Sequence, residues 1–543
     1  MPKVLFRFVS LHKPGAGTAF KIIQHTMSLA QILWVDDEIE SLQSQKLFLE
    51  HKGYHVHSLT NGFDAIDYVK DNPVDVVLLD ETMPGITGLE TLAKIKEVSA
   101  QIPIVLITKN ETENLMDDAI GSQISDYLIK PVNPNQVLLS LKKILDNKRL
   151  VAEKTTLAYQ QQFRNLFMAL NSNPDYNDWM NIYKKLVYWE LEMNKSDSPE
   201  MMDVFQTQKH EANTEFYKFI AKNYLSWINK KSADVPVLSH TLMQHKVFPY
   251  LEKGVPTFFV LIDNLRFDQW KAIQPIFLEY FRMIEEDTFY SILPTATQYC
   301  RNAIFAGLLP AEIEKAFPVQ WKNDDEEGGK NLFEEDFLRA QLKRHRKDIR
   351  FSYTKVLNHN DGQNLLNNVH NLLGNDLNII VYNFVDMLSH ARTEMEVLKE
   401  LASDETSYRS ITASWFEHSP LHQALKKVAD KKINLILATD HGSVRVKSPC
   451  KVIGDKQTTT NLRYKHGRNL NYDPKDVLVF RDPKEGGLPV PTVNSSYIFA
   501  KEDGFLCYPN NYNYYVNYYR NTFQHGGISL EEMIVPVIRM VGK

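Results

Sequence analysis

The sequence predicts a three-part α/β protein: a doubly wound parallel sheet, a helical bundle, and a second, larger α/β domain. Three observations predict it. Short apolar runs alternate with amphipathic stretches over residues 31–147. Aromatic residues recur at helical spacing over 149–235. Apolar strands return from 236, and several end in carboxylates.

In the first part the runs are ILWV (32–35), VVLL (76–79), IVLI (104–107) and YLI (127–129), with a weaker one at Tyr54–Val56. Helix-like segments at 41–51, 63–71 and 88–97 separate them. Fully apolar strands alternating with helices form a parallel sheet covered on both faces. The unit spans 27–148, a normal domain size of ~120 residues. Residues 1–26 contain basic residues but no apolar run followed by a small-residue cleavage site, so they read as an extension outside any domain rather than a signal peptide.

In the second part, 149–235, Phe163, Leu166, Phe167 and Leu170 form one helical stripe. Trp179, Ile182, Tyr183, Leu186 and Trp189 form another, and Phe216, Phe219, Ile220 and Trp227 a third. Breaks fall at Asn171–Pro174 and Ser196–Pro199. Aromatics at this spacing are core, not a cofactor box. The third part, 236–543, carries strands at 257–263, 378–384 and 433–440 and a helix at 299–307. An acidic run at Asp324–Glu327 and a basic stretch over 339–350 interrupt it; the basic stretch reads as a solvated face.

Composition narrows the function. The net charge of −5 over 543 residues gives no whole-chain affinity for nucleic acid or an anionic membrane. Three scattered cysteines exclude a disulfide framework or a cysteine zinc site and fit a reducing, cytoplasmic setting. No apolar run is long enough to span a bilayer.

Two clusters carry chemistry. In the first part Asp36 and Asp37 follow the first strand, Asp80 ends the third, Thr108 ends the fourth, and Lys130–Pro131 follows the fifth. Functional groups of an open parallel sheet gather at the carboxyl ends of its strands. Three converging carboxylates repel unless a hard cation such as Mg²⁺ joins them. A carboxylate so held can attack a phosphoryl group, with Lys130 and Thr108 on its oxygens. In the third part Asp263, Asp386, His390, Asp440, His441 and His525 lie after strands or at loops. Nitrogen and oxygen ligands without sulfur suit zinc, with manganese the alternative. Thr297 stands at the start of the expected helix, where a metal can ionise its hydroxyl and the helix N-terminus favours a phosphate. Asn264, Arg266 and the basic group Arg463, Lys465, His466 and Arg468 are candidate substrate contacts; a solvated loop is the equal alternative for the basic group.

The first cluster resembles the receiver domain of response regulators, a flavodoxin-like fold, in Asp36–Asp37, Asp80, Met83–Pro84, Gly88, Thr108, Tyr127 and Lys130–Pro131. The resemblance implies phosphorylation of Asp80 by a sensor histidine kinase, with Thr108 and Tyr127 as the switch pair. The DxxxH, DHG and HGG motifs, with segment 257–307, resemble the PglZ branch of the alkaline phosphatase superfamily. That implies one metal on Asp386, His390 and His525, and a second on Asp263, Asp440 and His441. It also implies Thr297 as a metal-contacting nucleophile that forms a covalent phospho-threonine intermediate. The combination resembles response regulators of the PorX type. This implies regulation of type IX secretion, partners in the secretion machinery or of the sigma-factor type, and a homodimer on phosphorylation through a change of the 109–147 surface. The expected substrates are phosphodiesters such as cyclic or linear oligonucleotides. A scaffold or ligand-sensing regulator is the alternative. A DNA-binding transcription factor is disfavoured by the charge and by the lack of a DNA-binding motif.

Overall fold

The computed structural model describes residues 30–109, 124–196, 199–229, 234–324, 326–402, 404–455, 458–492 and 494–543. The expected extension at 1–26, and residues 110–123 of the surface expected to respond to phosphorylation, lie outside these. The chain divides into two compact units after Lys154.

In the first unit, strands β1 (Gln31–Val35), β2 (His55–Leu59), β3 (Val76–Asp80), β4 (Ile104–Thr108) and β5 (Asp126–Ile129) form one sheet in the order β2-β1-β3-β4-β5. Every pairing is parallel. Side chains alternate across a strand, so each apolar run feeds two cores. Ile32, Trp34, Val76, Leu78, Val105 and Ile107 enter one core. Leu33, Val35, Val77, Leu79 and Leu106 enter the other. Helices Gln43–His51, Gly62–Asp71 and Gly88–Val98 lie between the strands, and Val137 and Leu141 of helix Pro134–Asn171 complete the first core. Two of these helices start on side-chain caps: Asn61 accepts from the Asp64 amide, and Thr87 and Glu90 form a capping box.

In the second unit, the end of helix Pro134–Asn171 and helices Tyr176–Ser196 and Pro199–Ile228 carry the aromatic stripes. Tyr159, Trp179, Tyr183, Phe216 and Trp227 are buried. They belong to the same continuous core as Phe258–Ile262 of the larger sheet, so the bundle is not a separately cored domain. The larger sheet contains β6 (Thr257–Ile262), β7 (Phe281–Tyr290), β8 (Phe351–Val356), β9 (Leu377–Tyr382), β10 (Asn434–Ala438) and β18 (Ile534–Gly542), in the order β7-β18-β10-β6-β9-β8. The β10, β6, β9 and β8 strands run parallel, and β18 is antiparallel to β10 and β7. Seven short strands are inserted between β10 and β18: β11 (Val444–Arg445), β12 (Ser448–Lys451), β13 (Tyr464–Gly467), β14 (Val477–Phe480), β15 (Ser496–Ala500), β16 (Gly504–Cys507) and β17 (Phe523–Gln524). No helix among the described residues is long and apolar enough to cross a membrane.

Candidate functional site

Each unit gathers its chemistry at the carboxyl ends of adjacent parallel strands. In the first unit, Val35 pairs with Leu79 and Leu79 with Leu106, which brings Asp36, Asp80 and Thr108 to one edge. All three are buried. Lys130 Nζ bridges Asp36 Oδ2 at 2.8 Å and Asp80 Oδ2 at 2.9 Å. Burial pushes the Asp80 carboxyl above its ordinary range; the hydrogen bond from Lys130 opposes this, and the Asp36 charge adds to it. Oxygens of Asp36, Asp37 and Asp80 lie within 4.8 Å of one another, a spacing that can hold one cation. Gly88 is required by close approach, because a Cβ there would overlap the Asp80 carbonyl oxygen. Tyr127 is 38% exposed on β5.

In the second unit, Asp263 follows β6, Asp386 lies on helix Phe384–Glu394 after β9, and Asp440 and His441 follow β10. Strands β9, β6 and β10 are neighbours, so residues more than a hundred positions apart in sequence converge. Asp263, Asp440 and His441 form one buried group, and Asp386, His390 and His525 form a second, less buried one. His441 Nε2 lies 3.7 Å from Asp263 Oδ1 and 3.8 Å from Asp440 Oδ2. Asp386 has His390 Nε2 at 3.5 Å and His525 Nε2 at 3.6 Å. The rings of His441 and His525 stack with centroids 4.2 Å apart, which joins the two groups. Thr297 is the first residue of helix Thr297–Ala306. Its Oγ1 is 3.0 Å from His441 Nε2 and 3.4 Å from Asp263 Oδ1.

The donor set fits a pair of divalent cations. Oδ2 of Asp440 is buried and has no hydrogen-bond partner among the described residues. Burial raises the Asp263 carboxyl to about 7, with the Asp440 charge adding to the shift. Burial raises Asp440 to about 6 and also lifts Asp386. Burial holds His525 well below its ordinary pKa, with the neighbouring His441 and His390 adding to the effect. Neutral imidazoles and crowded carboxylates are the forms a metal stabilises. The Nδ1 atoms of His441 and His525 stand 3.1 Å and 3.2 Å from the carbonyl oxygens of Gly442 and Thr295. Such contacts fix the tautomer that leaves Nε2 for a ligand bond.

Three family models match the chain. The response regulator receiver domain matches residues 32–142, the PorX response regulator linker domain 149–228, and the BREX system PglZ alkaline phosphatase-like domain 242–540. The last alone spans more than half of the chain. The chain belongs to the PorX-type response regulators, which carry a PglZ domain. Individual relatives match less of it. The phosphoglycerate transport system transcriptional regulatory protein PgtA of Salmonella typhimurium is 30% identical over 28% of this chain, which spans 35% of that protein. The transcriptional regulatory protein SrrA of Staphylococcus aureus is 26% identical over 34% of this chain and 79% of its own length. A crystal structure of a CheY-like receiver domain from Methanospirillum hungatei is 28% identical, covers 22% of this chain and 96% of its own, and has a TM-score of 0.22. The receiver implies phosphorylation by a sensor kinase, and the PglZ domain a hydrolase of the phosphoesterase type.

Within the PglZ domain the expected substrate contacts separate. Asn264 joins the two candidate ligand groups: its backbone N–H donates to Asp440 Oδ1 at 3.3 Å, and its Nδ2 donates to Asp386 Oδ1 at 3.4 Å. Arg266 does not face a substrate. It is buried, forms a bidentate pair with Asp268 at 2.9 and 2.7 Å, pairs with Glu405, and lies over the Phe523 ring. The basic group at 463–468 is not a solvated loop either. Arg463 is buried against Glu532, at 3.0 Å from Nε and 2.6 Å from Nη2. Lys465 donates to the carbonyls of Thr459 and Asn461, each at 3.0 Å, and His466 lies 3.0 Å from Asp324. Only Arg468 of the four is exposed. Arg463, Lys465 and His466 sit on or beside β13, where these contacts hold the inserted strands together. The basic stretch over 339–350, expected as a helix, covers the end of helix Glu334–Arg344 and the loop that leads into β8, and the Arg344 guanidinium donates to the Ala306 carbonyl.

Sequence reasoning missed Arg301. It lies one helical turn after Thr297 and is buried. Its Nη1 donates to Asp263 Oδ2, and its Nε to Glu334. This occupies one Asp263 oxygen and leaves Oδ1 toward Thr297 and His441. The i,i+4 spacing from Thr297 was visible in the sequence, but the Asp263 partner 38 positions away was not.

Proposed function

We propose that this protein is a response regulator with a switchable two-metal phosphodiesterase as its output. Zinc is the metal inferred at Asp263, Asp440 and His441 and at Asp386, His390 and His525, and magnesium at Asp36, Asp37 and Asp80. The observation that carries the reading is the Thr297 hydroxyl, set 3.0 Å from His441 Nε2 and 3.4 Å from Asp263 Oδ1 of the buried ligand group, whose His441 ring stacks on His525 of the other group. A platform for partners has no need of a hydroxyl there. When bound, a cation pair supplies Lewis-acid stabilisation of phosphoryl charge and a lowered hydroxyl pKa.

The chain's own residues do the rest. Thr297 Oγ1 attacks phosphorus: the Oγ1–P bond forms as the bond from phosphorus to the leaving oxygen breaks. Its proton passes to Asp263 Oδ1, 3.4 Å away; His441 Nε2, at 3.0 Å, is the atom that would hold a metal. The leading amides of helix Thr297–Ala306 face the incoming anion. Water then forms a new P–O bond, the Oγ1–P bond breaks, and Oγ1 regains a proton. Asn264 holds Asp440 and Asp386 in mutual register, and Arg301 holds Asp263.

In the receiver, Asp80 accepts the phosphoryl group from a sensor histidine kinase. Lys130 changes partners toward the new oxygens, and Thr108 and Tyr127 transmit the change to a homodimer. By family, the output regulates type IX secretion through secretion-machinery or sigma-factor-type partners, and its diester substrates include cyclic or linear oligonucleotides. The test is turnover of bis(p-nitrophenyl) phosphate and p-nitrophenyl phosphate by chelator-treated protein before and after added zinc. Zinc-dependent turnover with the diester preferred supports the reading. Monoester preference moves the substrate class, and inactivity of the zinc-loaded protein on both sinks the reading.

A further inference from the structure

A cavity of about 700 Å³ opens beside the second ligand group, with His390 and His525 in its wall. Tyr518 and Tyr519 also line it. These end the helix Tyr512–Tyr519, whose sequence YNYYVNYY contains five tyrosines in eight residues. Val516 of that helix is buried, and Tyr512 and Tyr519 pack partly against its cluster, whereas Tyr514, Tyr515 and Tyr518 belong to no core cluster among the described residues. Tyr514 is 65% exposed and Tyr515 40%. The rings are ordered in two parallel pairs. Tyr514 stacks on Tyr518 and Tyr515 on Tyr519, each at 6.1 Å between centroids and 14° between planes. Lys399 Nζ lies 4.5 Å from the Tyr518 ring centroid. None of the described residues lining the cavity is lysine or arginine, and Asp324 and Glu394 are among them. A pocket of that composition cannot read a chain of phosphates. It can read flat, weakly charged groups joined to the phosphate that reaches the metal ligands.

We propose that Tyr518 and Tyr519 form a nucleobase-stacking subsite, and that Tyr514 and Tyr515 continue it outward, so that the favoured diester is one whose phosphate joins nucleosides. This rests on the phosphodiesterase reading and gives it a specificity element. Base–tyrosine stacking contributes ~1–3 kcal/mol per base and tolerates any base. The subsite therefore selects for nucleotides over simple alkyl diesters, without strong sequence preference.

The test compares two diesters with the same leaving group, thymidine 5′-(p-nitrophenyl phosphate) and methyl p-nitrophenyl phosphate, with zinc-supplied full-length protein. The readout is the ratio of their kcat/KM values in wild type, Tyr518→Leu, Tyr519→Leu and the corresponding Phe variants. The expected result is a ratio well above one that falls at least tenfold in the Leu variants and is kept within threefold in the Phe variants. An unchanged ratio in the Leu variants overturns the subsite and leaves the metal-centre reading standing. If wild type hydrolyses neither ester, the hydrolase reading fails on its own. The subsite is then decided by titrating thymidylyl-thymidine into zinc-supplied Thr297→Ala protein, with and without Tyr518→Leu. A tenfold weaker Kd in the Leu variant supports it, and an equal Kd or no binding overturns it.

Discussion

Asn264 adopts a left-handed backbone, φ 63°, directly after the ligand Asp263. Asparagine tolerates that conformation better than other non-glycine residues. Here it turns the chain so that the backbone amide meets Asp440 while the side chain reaches Asp386 and Ser389. Asn264→Gly keeps the φ and removes the amide side chain. The expected outcome is a ~10–100-fold loss of zinc affinity or kcat/KM with little change in melting temperature, read by competition with a chromogenic chelator and by diester turnover. Gly442 makes the complementary case. A Cβ there would overlap the Glu531 carbonyl oxygen and press on the Arg266 side chain. Gly442→Ala is expected to displace the loop bearing His441 and lower both the melting temperature and zinc occupancy. A variant with wild-type values for both contradicts the packing argument.

Among elements, the helix Pro199–Ile228 is tied to the PglZ sheet by buried charge. Lys209 reaches Glu190 at 2.9 Å and Glu531 at 3.0 Å. Arg409 links Glu190 to Asp268 at 2.7 and 2.9 Å, and Asp268 holds Arg266. Removing one partner of a buried pair leaves an uncompensated charge and costs ~3–5 kcal/mol. Lys209→Met is expected to destabilise the protein on that scale in denaturant unfolding. Lys218→Met, on the exposed pair with Glu215 of the same helix, should change it by less than ~0.5 kcal/mol. These links also show what a sequence reveals. The receiver strands were legible because each apolar run feeds two cores at once. The carboxylates and histidines of the two converging groups were legible as candidate ligands because most of them follow strands that became neighbours. The fate of Arg463 and Arg266 was not: the Arg463 partner Glu532 is 69 positions away, and although Asp268 lies two positions from Arg266, charge patterning alone does not distinguish a buried pair from a free cation. The helical connector was legible as helices but not as part of the larger core, since its aromatic stripes do not say which surface they meet.

At the scale of the whole molecule, the proposed coupling of the phosphorylation site to the hydrolase site is a change of association state. Lys130 bridges Asp36 and Asp80 in the unphosphorylated receiver. Beryllofluoride with Mg²⁺ is expected to convert monomer to dimer in analytical ultracentrifugation at micromolar protein. Asp80→Ala should abolish the shift, and Lys130→Ala should weaken it. A wild-type protein that remains monomeric under beryllofluoride contradicts the proposed coupling while leaving the metal centre untouched.

The central claim is that Thr297 is the nucleophile of a two-metal site, and the most direct measurement is turnover of bis(p-nitrophenyl) phosphate by wild type and Thr297→Ala, with bound zinc counted in the same samples. The account predicts two zinc ions per chain in both proteins and a loss of at least ~10³-fold in kcat for the variant, the order expected when an activated nucleophile is removed. Undiminished turnover in Thr297→Ala with both metals retained would contradict it.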